Sequence, residues 1–270
     1  VLPGASRPGR SILSRTGLDD AQRSTLTRAD AILGAFDEAH PTMSLAGIMA
    51  RTGLPKTTVH RAAEKMAALG WLERDGDRYS IGNRLFELAT LSRLRIGLRE
   101  AALPYMQDLY EATHETVHLA VRENDHVRYA EKISGHRPVT DLSRVGGRMP
   151  AHCTAVGKVL LAFAPPDVVE KTIANGLAVL TPATIVVPSK LHRELDRVRA
   201  DGLGYDREES QVGMVCVAAP VFGPDGACVA AISITGPIPA LRVDRAAAAV
   251  RAAALGVTRA LRHLAGGRRR

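Results

Sequence analysis

A chain of 270 residues that is 46% hydrophobic is long enough for two globular domains and too apolar for a disordered protein. Its formal charge of +8 suits an anionic partner, but residues 1–100 hold 15 Lys and Arg against 11 Asp and Glu, and the rest 21 against 17, so neither part holds the surplus. Three cysteines without paired spacing (Cys153, Cys216, Cys228) argue against a disulfide framework; with no apolar run near ~18 residues and no secretory leader, a cytoplasmic protein without membrane contact is expected.

Residues 1–23 mix proline, glycine and arginine and are expected to be a flexible tail. Ser24 is placed to cap a helix whose Leu26, Ala29, Leu33 and Phe36 make an apolar stripe, ending near His40-Pro41. Ser44 caps a second helix, and Gly53 supplies the turn to a third that opens at Pro55. In the third, Val59, Ala62, Met66 and Leu69 form the buried stripe, while Lys56, Thr57, His60, Arg61 and Glu64 lie on the opposite face. Two alternating runs, 71–74 and 78–81, flank Asp75-Gly76-Asp77, a strong hairpin signal that puts Arg74 and Arg78 beside its tip. Two helices, a turn and a hairpin make residues 24–82 a winged helix-turn-helix, whose cationic helix face suits the major groove of double-stranded DNA.

From Asn83 to Arg99 apolar residues occupy more than one helical face (Leu85, Phe86, Leu88, Leu91, Leu94, Leu98), so 83–100 is read as a linker helix that also forms a dimer contact. Residues 101–265 interleave helices and strands as an α+β domain: a helix around Met106, strands at 117–121 and 127–129, a helix through Phe163, a helix at 189–200, the strands 215–221 and 228–234, and an Ala-rich helix from Asp244 to Leu264. A short basic tail, 266–270, closes the chain.

The run Ser44 to Ile81 closely resembles the DNA-binding module of the IclR family of bacterial transcription regulators. Pro-x-His-x-Thr-Ala-x-Gly-Lys at 150–158, Gly204-Tyr205 with Glu208-Glu209 and Gly213, and Ala218-Ala219-Pro220-Val221 resemble, in order, that family's effector domain. The resemblance covers roughly residues 24 to 265. It implies a GAF-like ligand domain and a homo-oligomeric regulator of a pseudo-palindromic operator, whose occupancy responds to a small organic acid, aromatic in one version of the reading. Lys56, Thr57, Thr58, His60 and Arg61 would contact DNA, with Ser44 and Arg78 on the backbone. The backbone amides of Ala155 and Val156 would face the effector, with Asp206 and Cys216 as polar contacts and Met149 and Met214 as apolar wall. One departure is Gly47, where the family carries Glu, so the reciprocal capping bond with Ser44 is lost.

Other chemistries compete. His152 beside Cys153, or His118 with Cys216, would suit a thiol-dependent or small-molecule-binding enzyme with an incidental winged helix, but a nucleophile and its base must meet in space. A metal site could draw on His114, His118, His152 and the cysteines, yet no C-x-x-C pair exists. Gly157-Lys158 lacks the upstream glycine of a phosphate loop, and no cofactor is expected.

Overall fold

The computed structural model describes residues 24–37, 39–90, 93–136 and 143–267, and the chain divides into two compact units at Ser92/Arg93. The expected tail 1–23, Leu91 of the linker and the last three residues of the basic tail lie outside the described residues.

The first unit runs α1 (Thr25–Leu33), β1 (Thr42–Ser44), α2 (Leu45–Thr52), α3 (Lys56–Ala68), β2 (Leu72–Asp75), β3 (Arg78–Ile81) and α4 (Asn83–Thr90). Ile32, Ile48, Val59 and Ala63 are wholly buried where the three helices meet, with Tyr79 of the wing beneath them. The expected stripes need correction. Leu26 is 75% exposed and Leu69 59% exposed. Helix α1 is short, so Ile32 and Ala35 at its end fill the core; in α3 the stripe continues from Val59 through Ala63 and Met66, and Leu69 falls at the C-cap as the chain turns away. Ser24 occupies the N-cap position without a side-chain bond.

The wing is antiparallel, with order β1-β3-β2 and Asp75 opposite Arg78. Gly76 turns the hairpin at φ +59°, a left-handed value that glycine adopts without strain. Strand β1, not expected from the sequence, pairs with β3 and lets buried Met43 close the sheet onto the helices.

The second unit comprises α5 (Arg93–Thr113), β4 (Thr116–Glu123), β5 (His126–Ile133), β6 (Arg148–Pro150), a 3₁₀ turn (Ala151–Cys153), α6 (Ala155–Ala162), α7 (Pro166–Ala174), α8 (Pro188–Asp201), β7 (Gly204–Arg207), β8 (Met214–Phe222), β9 (Cys228–Pro237) and α9 (Val243–Gly267). The linker reading is corrected here: α5 runs through residue 100, and Leu98, offered as a dimer contact, is 5% exposed in this unit's own core. Nothing between Arg99 and Leu103 breaks a helix, so the boundary drawn there had no physical stop.

Six strands in the order β6-β5-β4-β9-β8-β7, every pair antiparallel, form one sheet. Period-two alternation sorts their side chains. Val117, Leu119, Val217 and Ile232 face α5 and α9; Ala120, Ala218 and Ala231 face α6, against which α8 packs in turn. Alanines on that second face let α6 approach the strands closely. Strand β5 carries a bulge: Leu119 pairs with Glu131 but Ala120 with Tyr129, so Ala130 is extra and Tyr129 and Glu131 turn to opposite faces. Glu131 is ion-paired with Arg99 of α5.

Candidate DNA-reading helix and effector cavity

Pro55 sits at the N-cap of α3, and Thr58 N and Val59 N both donate to its carbonyl at 3.0 Å. Lys56, Thr57, His60 and Arg61 are exposed and Thr58 is half-buried. The first turn has no acidic residue, so nothing opposes the positive end of the helix dipole. Glu64, on the same side, accepts from Tyr79 Oη at 3.0 Å and Arg74 Nη1 at 3.1 Å, which masks the one acidic group near the face and ties α3 to the wing. Ser44 Oγ accepts from Gly47 N at 3.3 Å and caps α2. Arg78 donates to Thr42 O at 2.7 Å and to Thr42 Oγ1 at 3.0 Å, so its guanidinium lies along β1 with part of its capacity in use.

In the second unit, a cavity of about 40 Å³ opens between the sheet and the start of α6. One enclosed water takes ~10–15 Å³ by the same measure, so the space suits a small molecule and not a nucleotide. Met149, Ala155, Val156, Asp206, Met214 and Cys216, the six residues that the family resemblance implied, all border it. Sequence reasoning missed Tyr129, Thr154, Ser233 and Thr235 on its wall, and took His118 only for a catalytic or metal group. Strand alternation was the available signal, since His118 is out of phase with Val117 and Leu119.

Thr154 builds the helix start. Its Oγ1 accepts from Gly157 N at 3.2 Å, while Lys158 N bonds Thr154 O, leaving the first amides of α6, at Ala155 and Val156, beside the cavity. Gly157 is required because a Cβ there would stand 2.1 Å from Ala151 O; at Gly204 it would meet Ala155 O at 2.6 Å. One turn along, the wholly buried Lys158 reaches Glu209 Oε1 at 2.5 Å and Glu194 at 3.5 Å. Burial raises the Glu209 carboxyl, and Lys158 pulls it back down. The turn carrying Glu209 is fastened again by Thr181 and Thr184, whose hydroxyls donate to Glu208 O at 2.6 Å and Glu209 O at 2.7 Å.

Asp206 borders the cavity and also caps this turn: Oδ1 accepts from Glu209 N at 2.8 Å and Ser210 N at 3.2 Å, and Oδ2 from Ser210 Oγ. Burial nonetheless raises its pKa. Among the described residues no lysine or arginine lines the cavity, so among these groups an anion there would rely on the α6 amides.

The thiol-enzyme reading fails on these environments. Burial pushes Cys153, Cys216 and Cys228 each up to about 12, so all three stay protonated near neutrality. Burial, with Lys132 opposite on β5, pushes His118 down to about 3, so it cannot take the Cys216 proton. His152 Nε2 lies 3.0 Å from Ala178 O, and Cys153 Sγ donates to Pro150 O.

Two family models match: the IclR helix-turn-helix domain over residues 25–76 and the bacterial transcriptional regulator IclR C-terminal domain over 89–259. The regulator KdgR of Escherichia coli is 34% identical over 218 residues, 79% of this chain and 82% of KdgR. The transcriptional repressor IclR of E. coli is 31% identical, with 91% of both chains covered. Among solved structures, an IclR homologue from Microbacterium hydrocarbonoxydans complexed with 4-hydroxybenzoate superposes with a TM-score of 0.82 at 32% identity, covering 89% of this chain and 100% of that one. The chain belongs to the IclR family of bacterial transcriptional regulators, ligand-responsive DNA-binding proteins and not enzymes.

Proposed function

We propose that this regulator binds a pseudo-palindromic operator as a homo-oligomer and that a small organic acid, aromatic in the preferred version, alters its occupancy from the cavity beside α6. The observation that supports this reading is the start of α6, where Ala155 and Val156 line a space bordered by no cationic side chain among the described residues. Met149 and Met214 supply adaptable wall, and Cys216 and Asp206 the polar side. The acid bound by the Microbacterium homologue is of the class these groups suit. Lys56, Thr57, Thr58, His60 and Arg61 contact the major groove, and Ser44 and Arg78 the sugar-phosphate backbone. A single winged helix reads too few base pairs for useful specificity, which favours two copies on two half-sites.

The test couples a gel shift on DNA flanking the gene with titration calorimetry of 4-hydroxybenzoate and related acids. Asp206→Ala and Cys216→Ser are expected to lose ligand response while keeping operator affinity. Unchanged ligand affinity in both would move the effector site elsewhere, and no shift with any upstream fragment at low salt would overturn the operator reading.

A further inference from the structure

Among the described residues, two buried polar atoms on the cavity wall lack a well-formed hydrogen bond: His118 Nε2 and Ser233 Oγ, the latter near enough to the Cys216 thiol to act on it. They are directly opposed, since His118 of β4 pairs with Ser233 of β9 and both side chains take the face turned toward α6. His118 and Ser233 are 2% and 1% exposed, so bulk solvent does not satisfy them. Unpaired buried polar groups are rare in native proteins because each forfeits its hydration without compensation.

The hydrogen-bond chain fixes what each atom offers. Thr235 Oγ1 donates to Cys216 Sγ at 3.0 Å, so its single proton is committed. Toward His118 Nδ1, 3.4 Å away, Thr235 can only accept. With the Thr235 proton on Cys216, Nδ1 carries the ring proton and Nε2 presents a lone pair. Ser233, its cross-strand neighbour, has a hydroxyl proton to give. Asp206 is a poorer acceptor for a ligand, being already met by three donors.

We propose that His118 sets effector specificity: its Nε2 accepts a hydrogen bond from a hydroxyl on the bound acid, and Ser233 Oγ donates to that same hydroxyl. The acid is thus a hydroxy acid, held by its carboxylate at the Ala155 and Val156 amides and by its hydroxyl at the His118–Ser233 pair. An ether or ketone cannot donate to Nε2; an ammonium cannot accept from Ser233. A plain aromatic acid leaves both atoms unpaired. The proposal rests on the cavity being the effector site.

The experiment titrates 2-, 3- and 4-hydroxybenzoate and benzoate into the full-length protein and into His118→Phe, by calorimetry and by NMR with ¹⁵N-labelled histidine, alanine and valine. At least one hydroxybenzoate is expected to bind wild type roughly ten- to hundredfold more tightly than benzoate, the usual effect of leaving a buried acceptor unmet. His118→Phe is expected to reduce that preference to about twofold or less while keeping benzoate affinity, by the same hydrogen-bond reasoning. In wild type, the His118 ring should show an unprotonated Nε2 that moves with the hydroxybenzoate and not with benzoate. A protonated Nε2 in the free protein, equal binding of benzoate, or an undiminished preference in His118→Phe would overturn the proposal. If acids bind and shift the Ala155 and Val156 amides without preferring a hydroxyl, the cavity reading stands and the His118 assignment falls. If they bind and leave both those amides and His118 unmoved, or if none binds, both fall.

Discussion

Gly157 shows how little freedom the effector site leaves at a single position. The Cβ of Gly157→Ala would stand 2.1 Å from a backbone carbonyl, so α6 must retreat from the 3₁₀ turn that positions it. We expect Gly157→Ala to destabilise the second unit by ~1–3 kcal/mol, as overpacking does, and to weaken acid binding by moving the amides it depends on; urea unfolding and calorimetry on the same variant check both. Arg61 is the opposite case, exposed and free of intramolecular partners among the described residues. Arg61→Ala is expected to leave the melting temperature unchanged and to cost ~1–3 kcal/mol in operator binding if it pairs with guanine. Fluorescence anisotropy at several salt concentrations reads that loss, and affinity equal to wild type would remove Arg61 from the interface.

At the scale of elements, α2 has a strong start and a weak middle. Ser44 caps it through Gly47 N, while Gly47 itself forfeits helix propensity and has no side chain to return the bond. A Cβ at Gly47 would meet Met43 Cβ at 3.5 Å, ordinary van der Waals contact. Gly47→Ala should therefore stabilise the first unit by about 1 kcal/mol, and Ser44→Ala should destabilise it by ~0.5–2 kcal/mol, both measurable by chemical denaturation. The helix starts, the wing turn and the strand alternation were legible because capping residues, Asp-Gly and period two act locally. What was not legible depended on partners distant in sequence. Strand β1 exists because β3 is there to pair with it, and Leu98 belongs to the second core because α5 starts at Arg93 and runs on through Pro104 to Thr113. Helix α7, with Val168, Val169, Thr172 and Ile173 at helical spacing after Pro165-Pro166, was overlooked despite a local signal. The six cavity residues were reached through family resemblance. The remaining wall required knowing that β4 and β9 lie side by side.

For the molecule as a whole, burial of His118 links folding to pH. Its pKa is about 3 when folded and 6.5 when unfolded, so between those values the unfolded chain binds a proton that the folded protein refuses. The stability contribution is complete above pH 6.5 and declines as pH falls toward 3. Asp206 and Glu209, raised on folding, act with the opposite sign, so the comparison is best made as a difference between proteins. The stability deficit of His118→Phe relative to wild type should be smaller by ~1 kcal/mol at pH 5.5 than at pH 7. On α4, Phe86 is 71% and Leu88 42% exposed, apolar surface that a second copy would cover. Sedimentation is expected to give a dimer or larger at micromolar concentration, and Phe86→Asp to shift it toward monomer; a wild-type monomer would contradict the proposed two-half-site operator.

The extra residue Ala130 makes β5 serve two masters. Ahead of it the strand contributes an aromatic ring to the ligand's side of the sheet; beyond it, the same strand anchors α5 by a carboxylate. Were Ala130 instead taken into a regular ladder, the pairing of everything after it would slip by one residue and bring Glu131 round to the side where Tyr129 stands. A carboxylate would then enter the proposed anion site, and Arg99 would lose its counter-ion. One unpaired residue thus keeps the proposed receptor electrically open to an acid, whereas losing it outright would leave both groups on their present faces, since neighbours on a regular strand alternate.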